Sequence, residues 1–522
     1  MSARGSSAPV TATLVLAAVL AAGIALSPWV GGDLVAQQAH ADFFAAYGWT
    51  PLNLSWYGGT APVGYSLLSP PLLALLGPAW VGASATVVAA GAWVLLLRRT
   101  GARRPLVGGL LGALSLAANQ LSGRTTFGLG VAFALLALLA LTAPPGRRWR
   151  RPAAALGGLL ASGASPVAGV LLGLGALALV IDGTWSRERR IRAVDGCWLA
   201  VGVAAPLALV ATLGVPSGLM SFSGQSALRT VASTAIVLLL VPRRWRLVQI
   251  TAVLSVVLVA VAYLLPDPVG STSTRLVLLL GVPAAVALSR LPWPVVVAGV
   301  VGIVLLLPPL VVGDLVPVGV PSATSGYFQP LLDQLAKLEP IGRIEVVPLG
   351  THLESRYVAE QVPLARGWLR QADLSRNALF YDGSLSATSY RDWLVSHGVS
   401  YVAVADGRPD WPAYAEQALV LSGLPYLRSL WSDSEWHLYA VTGAPGLVGP
   451  AATLVDSTAT QVSFHVSRSG PVPVKLVWSR WLTLDGPAGC LRPGPGGWTE
   501  VDAAIPGSYV VSSSWTPQGH CD

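Results

Sequence analysis

Residues 31 to 59, GGDLVAQQAHADFFAAYGWTPLNLSWYGG, follow the first long apolar run and bring two acids, a histidine and an aromatic pair into one stretch. Asp33 stands just after two glycines at the end of that run. A carboxylate held partly desolvated at such a boundary suits a general base that deprotonates an acceptor hydroxyl. The same residue also suits the N-cap of a helix over 34 to 44. Asp42 would face roughly the opposite side of that helix, so the two acids are alternatives for one role rather than a dyad. His40 with either acid is a sparse donor set for a metal, so no cofactor is expected to be required, a divalent cation being the lesser alternative. Trp56 and Tyr57, ahead of two glycines, suit a stacking platform for a sugar ring, with His40 nearby, or an anchor at a membrane interface.

Arg124, Arg229 and Arg275 stand between expected spans on the face opposite the basic loops, where the positive-inside rule disfavours them. Arg275 follows Ser271, Thr272, Ser273 and Thr274 at the expected start of a helix. Hydroxyls, backbone amides and a guanidinium at one place make a cradle for phosphate, and three such arginines near one level favour a shared anionic ligand. Snorkelling of these side chains toward lipid headgroups is the competing account. No Walker loop, GxSxG, HExxH or CxxC pair occurs, so ATP hydrolysis, serine-hydrolase and zinc chemistry lack their usual residues.

The elements that must hold these residues are mostly apolar. Of 522 residues 53% are hydrophobic and 11% charged, and the mean hydropathy is +0.61, more apolar chain than one soluble core buries. Uninterrupted apolar runs recur to about residue 311, and soluble-type composition follows. The net charge of +8 sits largely in short arginine loops at 98–104, 147–151, 187–192 and 243–246, the pattern of membrane insertion rather than nucleic-acid binding. These loops assign the cytoplasmic side. Spans are expected near 9–30, 79–97, 105–122, 125–143, 195–214, 226–241, 247–265, 275–290 and 292–311, with a pair broken at Ser165-Pro166 (153–163 and 166–182).

The expected fold class is therefore a polytopic α-helical membrane protein of about 11 transmembrane helices, with an exported C-terminal α/β plus β-sandwich region. Its domains are 1–313, transmembrane with a long first exported loop at 31–78; 314–440, α/β; and 441–522, β-sandwich. Strands are expected in RIEVVPL, NALFYDG, VSYVAVAD and EWHLYAV, then in the alternating runs after 441. The segment at 65–77 is too short to span and is expected along the membrane surface. An odd number of crossings puts the N-terminus in the cytoplasm and the tail outside the plasma membrane, where Cys490 and Cys521 suit a disulfide. Cys197, inside an apolar run, is expected to be a buried thiol.

An acid in a long first exported loop, about eleven spans and an exported C-terminal region resemble the GT-C superfamily of lipid-phosphate-sugar glycosyltransferases. GGDLVAQQAHADFF, LSWYGGTAPVGYSLLSP, PVGSTSTRLVLL and VPLARGWLRQADLSRNALFYDG further resemble uncharacterised actinobacterial membrane proteins related in layout to YfhO-like proteins, which are sometimes labelled transporters. The resemblance implies an inverting transfer of sugar from a polyprenyl phosphate to a cell-envelope polysaccharide or glycolipid such as arabinan. Asp33 would occupy the catalytic position of the first loop, with Asp42 as the fallback, and Arg275, helped by Arg124 or Arg229, would hold the donor phosphate. The paired acids frequent in that loop are missing. The competing expectations are a non-catalytic scaffold or glycan-binding membrane protein, and a transporter of a lipid-linked precursor. A transporter predicts internal repeats and polar groups at the midplane, whereas polar residues here gather at the span ends.

Overall fold

The computed structural model describes residues 7–28, 30–184, 190–214, 218–310, 315–316, 319–338 and 340–521. The chain divides into two compact units, the first formed by residues 1–37 and 63–315, the second by 38–62 and 316–522. The stretch 38–62, expected as part of a loop of the membrane domain, thus belongs with the C-terminal region, and the α/β and β-sandwich parts share one unit.

Unit 1 is helical. Its long elements are α1 (Ala8–Leu26), the start of α2 (Leu34–Tyr47), the short α3 (Ser69–Leu76), α4 (Pro78–Arg99), α5 (Pro105–Leu121), α6 (Thr125–Leu141), α7 (Arg150–Ala164) and α8 (Pro166–Thr184). Then follow α9 (Arg190–Thr212), α10 (Gly224–Leu240), α11 (Arg246–Leu264), α12 (Arg275–Leu288) and α13 (Trp293–Leu306). Six helical stretches are long and apolar enough to cross a membrane, and four shorter apolar helices accompany them among the described residues. The protein is a multi-pass membrane protein by this measure. Proline or a basic loop opens most of these helices, because Pro fits the first turn, where an amide lacks a partner anyway. Their core is alanine-rich, with Trp93, Phe127 and Leu135 filling the larger gaps, so backbones approach closely.

The break at Ser165-Pro166 is real: α7 ends at an extended Ser165 and α8 starts at Pro166. The freed carbonyls of Gly163 and Ala164 accept hydrogen bonds from Ser66 Oγ (3.1 and 2.8 Å), and Ser69 Oγ adds another to Ala164. Residues 65–69 thereby close the end of α7. In α3, Leu73 is buried and Leu75 and Leu76 are exposed, as suits a helix with one apolar side facing outward. Cys197, expected buried, is exposed on α9. The apolar run there is a lipid-type face, since Val194, Trp198 and Val201 are exposed beside it.

Unit 2 has two cores. One surrounds a four-stranded sheet in the order Ile344–Val346, Tyr401–Ala405, Trp436–Val441, Leu427–Ser432, parallel at the first pairing and antiparallel after it. NALFYDG, expected as a strand, is a 3₁₀ turn at Ala378–Phe380. Asn377 explains the difference: its amide bonds Asp373 (2.8 Å) and its carbonyl takes Trp393 Nε1 (2.9 Å), fixing the chain after the helix Arg370–Arg376. The second core lies between antiparallel sheets of four and three strands, a β-sandwich, with Leu52 and Leu54 packed into it. Cys490 and Cys521 are joined in a disulfide at one end of this sandwich.

Candidate functional site

In unit 1 the expected acid and two of the three expected arginines meet. Asp33 Oδ2 accepts a hydrogen bond from Arg124 Nε at 3.0 Å, and Arg275 Nη2 lies 3.9 Å from the same oxygen. The guanidinium groups are mostly covered, at 19% and 21% exposure, whereas the carboxylate is 42% exposed and is the member an incoming hydroxyl can reach. Among the described residues the carboxylate is engaged by guanidinium groups and not by the first amides of α2. Among the described residues one carboxylate faces two guanidinium groups, donors of the kind that bind phosphate and carboxylate oxygens.

Local backbone explains how residues so far apart in sequence converge. Gly123 has φ +76°, and a Cβ there would meet Gly31 O at 2.6 Å and Leu34 N at 2.7 Å. A Cβ on Gly31 would run into Ser122 C at 1.9 Å. Two glycines thus let the 31–33 turn lie directly on the α5–α6 turn, with Asp33 beside Arg124. Gln37 locks the contact. Its Nε2 donates to Asp33 O (2.7 Å) and to Gly123 O, while its Oε1 accepts from Thr126 N (2.7 Å) and Thr126 Oγ1 (2.8 Å). At 1% exposure Gln37 is fully used inside the protein. Sequence reasoning missed it; only its unusual place in an otherwise apolar first turn hinted at a role.

Arg275 starts α12 and rests 5.0 Å above the Phe127 ring, which holds it by cation–π attraction. Tyr65 completes the group: burial and the Asp33 charge push its phenol up, while Arg275 and a hydrogen bond to Thr126 pull the other way. The hydroxyl cradle before Arg275 is built differently from the expectation. Residues Gly270–Thr274 form a 3₁₀ turn in which Thr272, Ser273 and Thr274 donate to the carbonyls of Val269, Gly270 and Ser271. Their protons are committed inward, so these hydroxyls shape the turn and leave phosphate contacts to the guanidinium. Ser271 contributes its carbonyl to the same turn. Arg229 is exposed on α10, and its side chain forms no hydrogen bond or ion pair among the described residues; the structure does not bring it to Asp33.

A cavity of about 460 Å³ opens inside the unit 1 bundle. Its lining is apolar, with Trp93, Leu135 and Leu171 among it, and Arg275 stands at one margin. Arg150 and Asp195, bonded at 2.8 Å, stand at the other. Along α6 the two margins lie about 20 Å apart, from Phe127 near Arg275 to Leu141 near Arg150.

The remaining expected residues lie in unit 2. Asp42 pairs with Arg356 at 2.6 Å. His40 is buried edge-on to Trp56, ring centroids 5.3 Å apart, and burial pushes its imidazole down to about 4. Trp56 donates from Nε1 to Ser355 O (3.0 Å), and Tyr57 from its hydroxyl to Gly367 O (2.6 Å). Both are at most 2% exposed, which corrects the expectation of a stacking platform or an anchor: their rings are core, covered by residues some 300 positions away. Among the described residues no group of three or more His, Cys, Asp or Glu converges on one point.

No known family profile matches the chain, and no curated protein matches it in sequence. Solved structures do match in fold. Two cryo-EM forms of the arabinofuranosyltransferase AftD from Mycobacteria superpose with a TM-score of 0.50 each, at 14% and 15% identity, over 98% of this chain. The chain spans about 60% of the length of those AftD chains. The apo crystal structure of ArnT from Cupriavidus metallidurans gives a TM-score of 0.48 at 13% identity, over 83% of this chain and 97% of its own. The likeness to AftD is one of fold.

Proposed function

We propose that this chain is a GT-C type membrane glycosyltransferase that moves a sugar from a polyprenyl-phosphate donor to a cell-envelope glycan or glycolipid at the outer membrane face. The observation that carries the reading is the Asp33–Arg124–Arg275 cluster beside an apolar cavity whose margin is Arg275. The fold likeness to an enzyme named as an arabinofuranosyltransferase supports the class and makes arabinofuranose a sugar to try first.

In this reading the prenyl chain lies in the cavity and the donor phosphate comes to Arg275 and Arg124. Drawing the guanidinium groups to the phosphate loosens their hold on the Asp33 carboxylate. The acceptor hydroxyl then attacks the anomeric carbon, its proton passes to Asp33, and the bond from that carbon to the phosphate oxygen breaks with its electron pair. The phosphate leaves stabilised by the two arginines, with inversion at the anomeric carbon. A metal is not required by this scheme, because the leaving charge meets fixed cations.

The test is transfer of radiolabelled sugar from polyprenyl-phosphate donors to envelope acceptors, in membranes carrying wild type, Asp33→Asn or Asp42→Asn at equal expression. Loss with Asp33→Asn and retention with Asp42→Asn support the reading. Equal transfer by wild type and Asp33→Asn removes the base, and no transfer with any donor favours a non-catalytic glycan-binding or transport role.

A further inference from the structure

Unit 2 holds a group of cations with no acid beside it. Arg343 is 1% exposed; Nη1 donates to His397 O (2.7 Å) and Nη2 to Lys475 O (2.6 Å), but Nε has no acceptor among the described residues. Its guanidinium lies 5.8 Å from the centre of the Trp498 ring, and Lys475 Nζ lies 5.7 Å from the same ring. His397 meets that indole edge-on at 5.3 Å. Arg376 donates to Tyr57 O (3.1 Å) and Gly59 O (3.0 Å) of the 57–59 turn. A Cβ at Gly58 in the same turn would touch Arg343 Nη2 and Trp498 at 3.0 Å.

No carboxylate pairs with Arg343, Arg376 or Lys475 among the described residues, and Lys475 Nζ has no hydrogen-bond acceptor there. Taking charge out of water is costly unless an opposite charge compensates it, and carbonyl dipoles answer only part of that cost. The same crowding of buried cations disfavours their charged forms. Burial first and Arg376 second push Arg343 down to about 9; burial and then Arg343 push Lys475 down; His397 is pushed down to about 4 by burial, with Arg343, Lys475 and Arg366 adding to it.

We infer that Arg343 and Lys475, gathered about Trp498, with Arg376 near Arg343, form a binding site for an oxyanion of the phosphate or carboxylate class. The half-buried Lys475 and Trp498 are the approachable members, Lys475 supplying a mobile charge and the indole a face for whatever carries the anion. The inference does not depend on the transfer chemistry at Asp33, since all its residues lie in unit 2.

Equilibrium dialysis of the full-length protein in detergent with radiolabelled inorganic phosphate tests it, with glucose 1-phosphate, glucuronate and neutral glucose as competitors. Lys475→Ala and Lys475→Arg are compared with their parent in an Arg275→Ala background, which weakens the phosphate site proposed in unit 1, with unfolding midpoints confirming that each is folded. Phosphate binding is expected to be present in that parent, to weaken at least tenfold in Lys475→Ala and to persist in Lys475→Arg. Glucose 1-phosphate or glucuronate displacing phosphate more strongly than unlabelled phosphate identifies a sugar-borne anion; equal displacement identifies a free one; glucose displaces nothing. Binding unchanged by Lys475→Ala, or absent in the Arg275→Ala parent, overturns the site.

Discussion

Asp33 is held in its resting place by the groups that its proposed partner in catalysis would draw away. Replacing it with Asn keeps the shape and removes the basicity, so transfer is expected to fall by about 10²–10⁴-fold, the usual worth of a positioned acid or base. Arg275→Ala is expected to act mainly on the donor, raising its KM more than it lowers kcat; saturation curves in donor concentration separate the two. Asp33, Arg124 and Arg275 were legible in the sequence because a charge at the end of an apolar run has few reasons to be there. Gln37 was not, because its worth lies in partners 86 and 89 residues away. Leaving those partners unmet in Gln37→Leu is expected to cost about 1–3 kcal/mol, read as a lower unfolding midpoint in detergent. Trp56 and Tyr57 misled for a similar reason: an aromatic pair before two glycines looks alike whether its cover is a sugar, a lipid or a distant loop.

At the level of elements, the helices were written in the length of their apolar runs, and the α7–α8 break in a single Ser-Pro pair. What closes that break was not. Ser66 Oγ reaches both Gly163 and Ala164 and accepts from Ser69 N (2.9 Å), so one hydroxyl organises the junction. Ser66→Ala is expected to destabilise the protein by roughly 1 kcal/mol or more, checked by thermal unfolding. The same segment also ties the chain after residue 63 into unit 1, a fact no local pattern encodes. NALFYDG failed as a strand because a four-residue apolar run between polar residues fits a turn as well as a strand, and Asn377 decides between them only through Asp373 and Trp393.

Across the whole molecule, division into two units was partly visible as the change of composition near residue 311, but the transfer of 38–62 to the C-terminal unit was not, since Leu52 and Leu54 read as ordinary loop residues until their sandwich partners are known. That unit should also respond to pH. Burial raises the Glu354 carboxyl from 4.5 to about 8, with Oε2 lacking a partner among the described residues. Between those values the folded protein keeps a proton that the unfolded chain has lost, so this contribution is full below about pH 4.5 and declines as pH rises through about 8. His40 and His397, lowered to about 4, act the other way up to about pH 6.5, so the readout is a difference: the unfolding midpoint of wild type relative to that of Glu354→Gln is expected to fall from pH 5 to pH 9.

The interleaving of the two units has a temporal side. Because 38–62 leaves the ribosome long before 316–522, its apolar residues have no sandwich to enter while some 250 residues of helices are made and inserted. At elongation speeds of about 5–20 residues per second that interval is on the order of 13–50 s, during which Leu52, Leu54 and Trp56 stand without their cover. The second unit is therefore a late-maturing one, its first strand-like segment waiting for its last strands, and a chain truncated before residue 316 would keep that early segment permanently without its core.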